Sequence, residues 1–304
     1  MPLESLEDRC LLASGFLQTN LVADTPGLAR VTDPNLINPW GLAFSPAGPF
    51  WIADGGTGVS TLYNAAGQSP VPGSSLVVQL PPAGVELSGT AGAPTGVVFN
   101  DGPSFQVAEG GKSAPSLFLF ATEDGAIAGW NPRVDPYRAV LAVDNSASAA
   151  GAVYTGLALA DTPAGTFLYA ANFHTGTIDV FDQDFHPVHG AGAFADPSLP
   201  AGYAPFNIQD LGGRLYVTYA LQDAARQEDA AGPGHGFLDV FDLQGHRLQR
   251  LASQGPLNSP WGLALAPEDF GAFRNDLLVG NFGDGHINAF DPATGAFLGR
   301  LQDA

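Results

Sequence analysis

The apolar residues of this chain come in short runs cut apart by glycine, proline, asparagine and aspartate. None of them repeats at the three- and four-residue spacing of a helix. One class of run alternates small or polar with large apolar residues: VSTLYN (59–64), AIAGWN (126–131), TIDVFD (177–182), FLDVFD (237–242) and HINAFD (286–291). A period of two marks a strand with unlike faces. A second class is apolar almost throughout: NPWGLAF (38–44), APTGVVF (93–99), VYTGLAL (153–159), APFNIQD (204–210) and SPWGLAL (259–265). These read as strands covered on both sides.

The two classes recur in a fixed order. Aligned on the second class, the glycines are Gly41, Gly96, Gly156 and Gly262, with Asn207 in the fourth place, at spacings of 51 to 60 residues. Between the two classes lies another apolar run, from FWIADGG (50–56) to LLVGNFGDG (277–285). A last run follows, clearest in SLVVQL (75–80), AVLAVD (139–144), LQRLAS (248–253) and FLGRL (297–301). Four strands per unit, repeated five times, predict an all-β fold, a β-propeller of four-stranded antiparallel blades. The aligned glycine permits close backbone approach where innermost strands converge. The tryptophan before it, Trp40 or Trp261, is expected to be buried and to fill the gap between blades.

FLQTNLVA (16–23) reads as one more strand, of the kind that closes a ring by completing the last blade. The unit it would complete is a sixth, missing here. The expectation is therefore five full blades in an open ring, with a wedge-shaped gap beside the fifth. Residues 1–15, which include LEDRCLL, read as a sorting segment, and residues 16–304 as the propeller domain.

QTNLVAD, DPNLINPWGLAFSP, FWIADGGTGVSTLYN, PAGYAPFNIQ, LNSPWGLALAP and LLVGNFGDGHINAFDP together resemble a family of uncharacterised exported bacterial proteins with NHL-like propellers. The resemblance covers residues 16–303. It implies export to the cell surface or beyond and a normal count of six blades, and it implies no activity.

Charge narrows the partners. Thirty acidic residues against 11 basic ones give a net charge of −19, which repels phosphate backbones and anionic lipid heads. Nucleic acid is excluded as a partner, and no apolar run has the length to insert in a membrane. A small molecule, a glycan or a protein fits better, as does self-association through an open blade edge. Cys10 is the single cysteine, so no internal disulfide forms.

Catalytic signatures are sparse. GGKSAP (110–115) ends like a phosphate loop, but Gln106 stands where its first glycine belongs and no helix follows. HPVH (186–189) offers two imidazoles without further ligands at metal spacing. The remaining constellation is Asp54, Glu123, Asn172 and Asn281, which end second strands, with His174 and His286 nearby. In a propeller these positions emerge on one face. Converging there, they would suit a divalent cation such as calcium, with either histidine moving a proton in a lactonase-like hydrolase or lyase. Asp and Asn are also ordinary tight-turn residues. A binding or interaction module without catalysis is therefore the leading expectation, and the metal-dependent enzyme is the alternative.

Overall fold

A computed structural model describes residues 15–70, 76–84, 91–147, 151–188, 190 and 192–302. It is all-β: among the described residues the only helix is one 3-10 turn, Gly271–Phe273. No helix is long and apolar enough to cross a membrane. The sorting segment expected over residues 1–15 lies outside the described residues except at Gly15.

Five four-stranded antiparallel sheets follow one another as the blades of a propeller, each ordered from the innermost strand outward. Blade 1 comprises Pro39–Phe44, Phe50–Asp54, Val59–Tyr63 and Val77–Gln79. Blade 2 comprises Pro94–Phe99, Phe118–Thr122, Ala126–Trp130 and Val140–Asp144. Blade 3 comprises Tyr154–Thr162, Gly165–Asn172, Thr177–Phe181 and the two-residue Pro187–Val188. Blade 4 comprises Tyr203–Asp210, Leu215–Leu221, Phe237–Phe241 and Arg247–Ser253. Blade 5 comprises Pro260–Leu265, Leu277–Asn281, Ile287–Phe290 and Phe297–Arg300. The glycine-lysine-serine stretch is the turn of a hairpin inserted in blade 2, Gln106–Glu109 against Lys112–Pro115.

Blades pack face to face through apolar clusters. Trp51 of blade 1 stacks on Phe118 of blade 2 at 4.2 Å between ring centroids. Leu157 of blade 3 packs with Leu119 and Ile127 of blade 2, Ile208 of blade 4 with Tyr169 of blade 3, and Val279 of blade 5 with Tyr216 and Leu238 of blade 4. Burying side chains of this size contributes roughly 1.5–3 kcal/mol each, which makes the faces the main source of stability. Four such interfaces join the five blades, and no apolar cluster spans blades 5 and 1 among the described residues.

Close approach at the axis explains the aligned glycines. A Cβ placed on Gly41 would lie 2.5 Å from the Thr95 carbonyl oxygen, and one on Gly96 would lie 2.6 Å from the Leu157 nitrogen. A Cβ on Gly156 would meet the Asn207 Cα at 2.7 Å. Each glycine thus admits the innermost strand of the next blade. Gly262 breaks the series: its hypothetical Cβ meets only Gly280 of its own blade, at 3.6 Å or more.

The N-terminal strand is shorter than expected. Only Val22–Ala23 is a strand, paired in parallel with Val31–Thr32 rather than added to a blade. The segment before it still links the two sides of the gap. The Phe16 N–H donates to the Gln302 carbonyl at 2.9 Å, and the Phe16 ring stacks on Phe270 at 4.8 Å, both beside blade 5. Leu21 and Val22 lie against Gly67, in the turn between the last two strands of blade 1.

Candidate functional site

Each innermost strand begins with the same irregularity. The register steps between Pro39 and Leu42, Pro94 and Val97, Tyr154 and Gly156, Pro205 and Asn207, and Pro260 and Gly262. A bulge of this kind re-aims the residue it leaves unpaired. Those residues are Trp40, Thr95, Thr155, Phe206 and Trp261. The two tryptophans are structurally equivalent, as the repeat predicts, but they are half-buried and do not fill the space between blades. They meet each other at the axis, ring centroids 5.6 Å apart and nearly perpendicular, and pack with Phe173 and Phe206. Trp40 also lies 4.8 Å from Phe282. The Trp261 indole N–H donates to the Thr155 carbonyl at 2.7 Å, tying blade 5 to blade 3. The Trp40 indole nitrogen is buried and has no partner.

Beneath these aromatics lies a cavity of about 350 Å³, lined by the innermost strands of all five blades. Leu42, Leu278 and Ile287 extend its wall into the gap between blades 1 and 5, so the axial space opens sideways there. No ionisable side chain lines it, and Asn207 and Gln209 are its only side-chain amides. Leu42 and Phe44 are 56% and 55% exposed on one side of the gap. Ile287 and Leu265 are 42% and 43% exposed on the other.

The four candidate metal residues divide. Asp54, Asn172 and Asn281 hold equivalent register positions, opposite Pro39, Tyr154 and Pro260. Thr122 holds that position in blade 2, opposite Pro94, so Glu123 lies one residue further on. Each equivalent side chain is engaged close to its own blade. Asp54 accepts the Thr61 N–H at 3.0 Å. Asn172 donates to Asp179 at 2.9 Å and accepts from the Val153 N–H at 3.3 Å. Asn281 donates to Asp284 at 3.1 Å and to the Pro256 carbonyl at 2.9 Å. The structure puts these residues in register without joining their oxygens to one another. Burial, and more weakly Asp33, pushes the Asp54 carboxyl up to about 7 despite the Thr61 bonds.

Glu123 sits in different company. Burial first, then the charges of Glu228 and Asp124, push it up to about 7. His174 is exposed, its Nδ1 3.2 Å from the Arg226 carbonyl, and His286 lies 3.1 Å from Asp284. Among the described residues, the one cluster of three acidic or histidine groups close enough to share a cation is Asp182, Asp184 and His186, which sequence reasoning did not select. Asp182 there accepts the N–H groups of residues 184 and 186, and Asp242 makes the same bonds with residues 244 and 246. The arrangement is a turn device used in both blades.

Sequence reasoning also missed the cavity, because the bulges that re-aim its aromatics have no residue signature beyond the repeated Pro–Trp–Gly. Residue chemistry makes the cavity suited to holding an apolar or aromatic group.

No protein-family model matches the chain. It is 36% identical to the uncharacterised protein R648 of Acanthamoeba polyphaga mimivirus over 286 residues, 92% of this chain and 68% of that protein. It is 34% identical to the uncharacterised protein L690 of the same virus, over 92% of this chain and 72% of that one. These relatives are viral, not the exported bacterial proteins that the motifs resemble, and nothing in them supports the NHL label. Among solved structures, the chain resembles one in a nidogen/laminin complex, with a TM-score of 0.53 and 12% identity, over 88% of this chain and 81% of that one. A glucose dehydrogenase matches with a TM-score of 0.50 and 16% identity, over 88% and 86%. At such identities the likeness extends to the propeller fold alone.

Proposed function

The chain belongs to the family of those mimivirus proteins, and from that premise we propose that it is an exported, non-catalytic binding module that takes its partner through the gap between blades 1 and 5. One observation carries this reading: the axial cavity is apolar, free of ionisable lining, and open sideways between exposed Leu42 and Ile287. Pockets that bind present apolar walls with a few placed polar groups, whereas acid–base or metal chemistry needs ionisable ones at hand. The partner is a protein, a glycan or a neutral small molecule, since a charge of −19 opposes nucleic acid and anionic lipid. The test is binding of an environment-sensitive hydrophobic dye. The chain is expected to enhance its emission, and Leu42→Glu with Ile287→Glu to abolish the enhancement. Unchanged emission in that double variant would remove the gap as a binding surface.

A second reading, a cation-dependent hydrolase or lyase acting on a lactone, draws on Glu123 with Asp124 and Glu228 beside it. A cation held there would restore Glu123 to full ionisation near neutral pH. Elemental analysis of protein purified without chelator tests this, since the reading requires a stoichiometric ion.

A further inference from the structure

We propose that the occupant of the gap is a β-blade: a short antiparallel sheet, apolar on both faces and about one repeat long, supplied by a partner protein chain. This inference rests on the gap being the binding surface, and it names what binds there.

Both sides of the gap are cut to the pattern of the other blade interfaces. The residue after each aligned glycine or asparagine packs on the preceding blade: Val97 on blade 1, Leu157 on blade 2, Ile208 on blade 3. These three are 6%, 3% and 0% exposed. Leu42 holds the same position in blade 1 and is 56% exposed, because no blade precedes it. On the far side the pattern fails in the complementary way. Gly41, Gly96 and Gly156 each clear space for the backbone of the following blade, and Gly262 clears the same space with nothing in it. An absent side chain at that point is required by an approaching strand backbone, and a small apolar ligand has no such need.

Blade 5 shows the same one-sidedness along its second strand. Leu277, Val279 and Asn281 are buried against blade 4, while Leu278 and Gly280 are only half-covered and face the gap. The two sides meet at the axis through Trp40, Trp261 and Phe282 and part further out, where Phe44 and Leu265 are exposed. A twisted sheet fills a wedge of that form as the other blades do. Exposed Leu17 and Leu21, on the segment linking blade 5 to blade 1, border the rim where its outer strand would lie.

The experiment appends a blade to the full chain through a flexible linker, in one fusion a copy of residues 203–255 and in another a copy of residues 93–147. The probe is 8-anilinonaphthalene-1-sulfonate. The parent is expected to enhance its emission; at least one fusion should lower that enhancement several-fold, melt several degrees higher and remain monomeric. Gly262→Leu should then raise the dye signal and lower the midpoint in that fusion, while leaving the parent unchanged. Two fusions that keep the parent's emission and midpoint would overturn the proposal, as would Gly262→Leu acting alike in parent and fusion. A parent that loses dye binding as it dimerises would make a second copy the occupant and overturn it too. A parent that binds no dye at all would instead defeat the underlying reading of the gap.

Discussion

Leu42 and Ile208 occupy the same place in their blades, directly after the aligned glycine or asparagine, yet Ile208 is fully buried and Leu42 is 56% exposed. Their burial differs because of what precedes each blade, not because of local structure. Blade 3 covers Ile208, and the gap leaves Leu42 facing outward. Ile208→Ala is therefore expected to destabilise the fold by about 2–5 kcal/mol. Leu42→Ser should stay within roughly 0.5 kcal/mol of the parent, as surface substitutions do. Urea denaturation of the two variants measures the contrast, and equal losses would mean that the gap is closed in solution.

Glycine offers the same contrast from the other side. Gly41→Ala forces a methyl group to 2.5 Å from the Thr95 carbonyl, a backbone atom that cannot move without displacing blade 2. A cost on the order of 1–3 kcal/mol, as for other overpacked sites, is expected. Gly262→Ala meets nothing nearer than 3.6 Å and restricts the unfolded chain, so it should be neutral or stabilise by up to about 1 kcal/mol. Thermal denaturation that ranks the two the other way would refute the close-approach account of the repeat.

The repeat carried much of this architecture openly. Gly41, Gly96, Gly156, Asn207 and Gly262 mark the five innermost strands, and the alternating third runs fall in the third strands of all five blades. Trp40 and Trp261 were legible as equivalent but not as axial, because a one-residue bulge decides which way a side chain points and leaves no trace in hydrophobic periodicity. The candidate ligands suffered from a related limit. Asp54, Asn172 and Asn281 share a position because each satisfies backbone or side-chain groups beside its own blade. In a sequence, that recurrence looks the same as convergence on an ion.

Asp54 gives a pH prediction with a definite sign. Its folded carboxyl is raised from 3.8 to about 7, chiefly by burial, so the folded state holds the proton more tightly than the unfolded one. Stability from this group is full below about pH 4 and falls as pH rises through the window from 3.8 to about 7. Asn172 and Asn281 show that an amide fits the same position. Asp54→Asn should therefore stabilise the protein at pH 8, by at most about 4 kcal/mol, and flatten its pH dependence between pH 4 and 7. Urea midpoints across that range test it; a variant less stable at pH 8 would show that the carboxylate is paired when ionised.

Added calcium is expected to leave the melting temperature unchanged. Ligand binding confined to the folded state adds about 2.7 kcal/mol when free ligand reaches a hundred times its dissociation constant, so a site of micromolar affinity would shift the midpoint clearly at millimolar calcium. Glu123→Gln separates the two readings. If no cation binds, it relieves the repulsion from Glu228 and Asp124 and raises stability near pH 8. If a cation binds, the variant abolishes a calcium-dependent shift that the parent shows. A saturable shift of that kind would favour the cation-dependent enzyme.

The tryptophans supply the last prediction, because equivalent positions carry unequal bonds. Trp261 donates its indole N–H to the Thr155 carbonyl across the axis, at 2.7 Å, whereas the buried Trp40 nitrogen has no acceptor. Thr155 is the residue that the blade 3 bulge leaves out of the strand pairing. Trp261→Phe removes the donor and leaves that carbonyl without its bond to blade 5, at an expected cost of about 1–3 kcal/mol. Trp40→Phe loses ring area but no hydrogen bond and relieves an unsatisfied nitrogen, so its cost should be under about 1 kcal/mol. Denaturation followed by far-ultraviolet circular dichroism avoids relying on the fluorophores being removed. A larger loss in Trp40→Phe would mean that its nitrogen finds a partner in solution, and would shift the anchor of the axial cavity from blade 5 to blade 1.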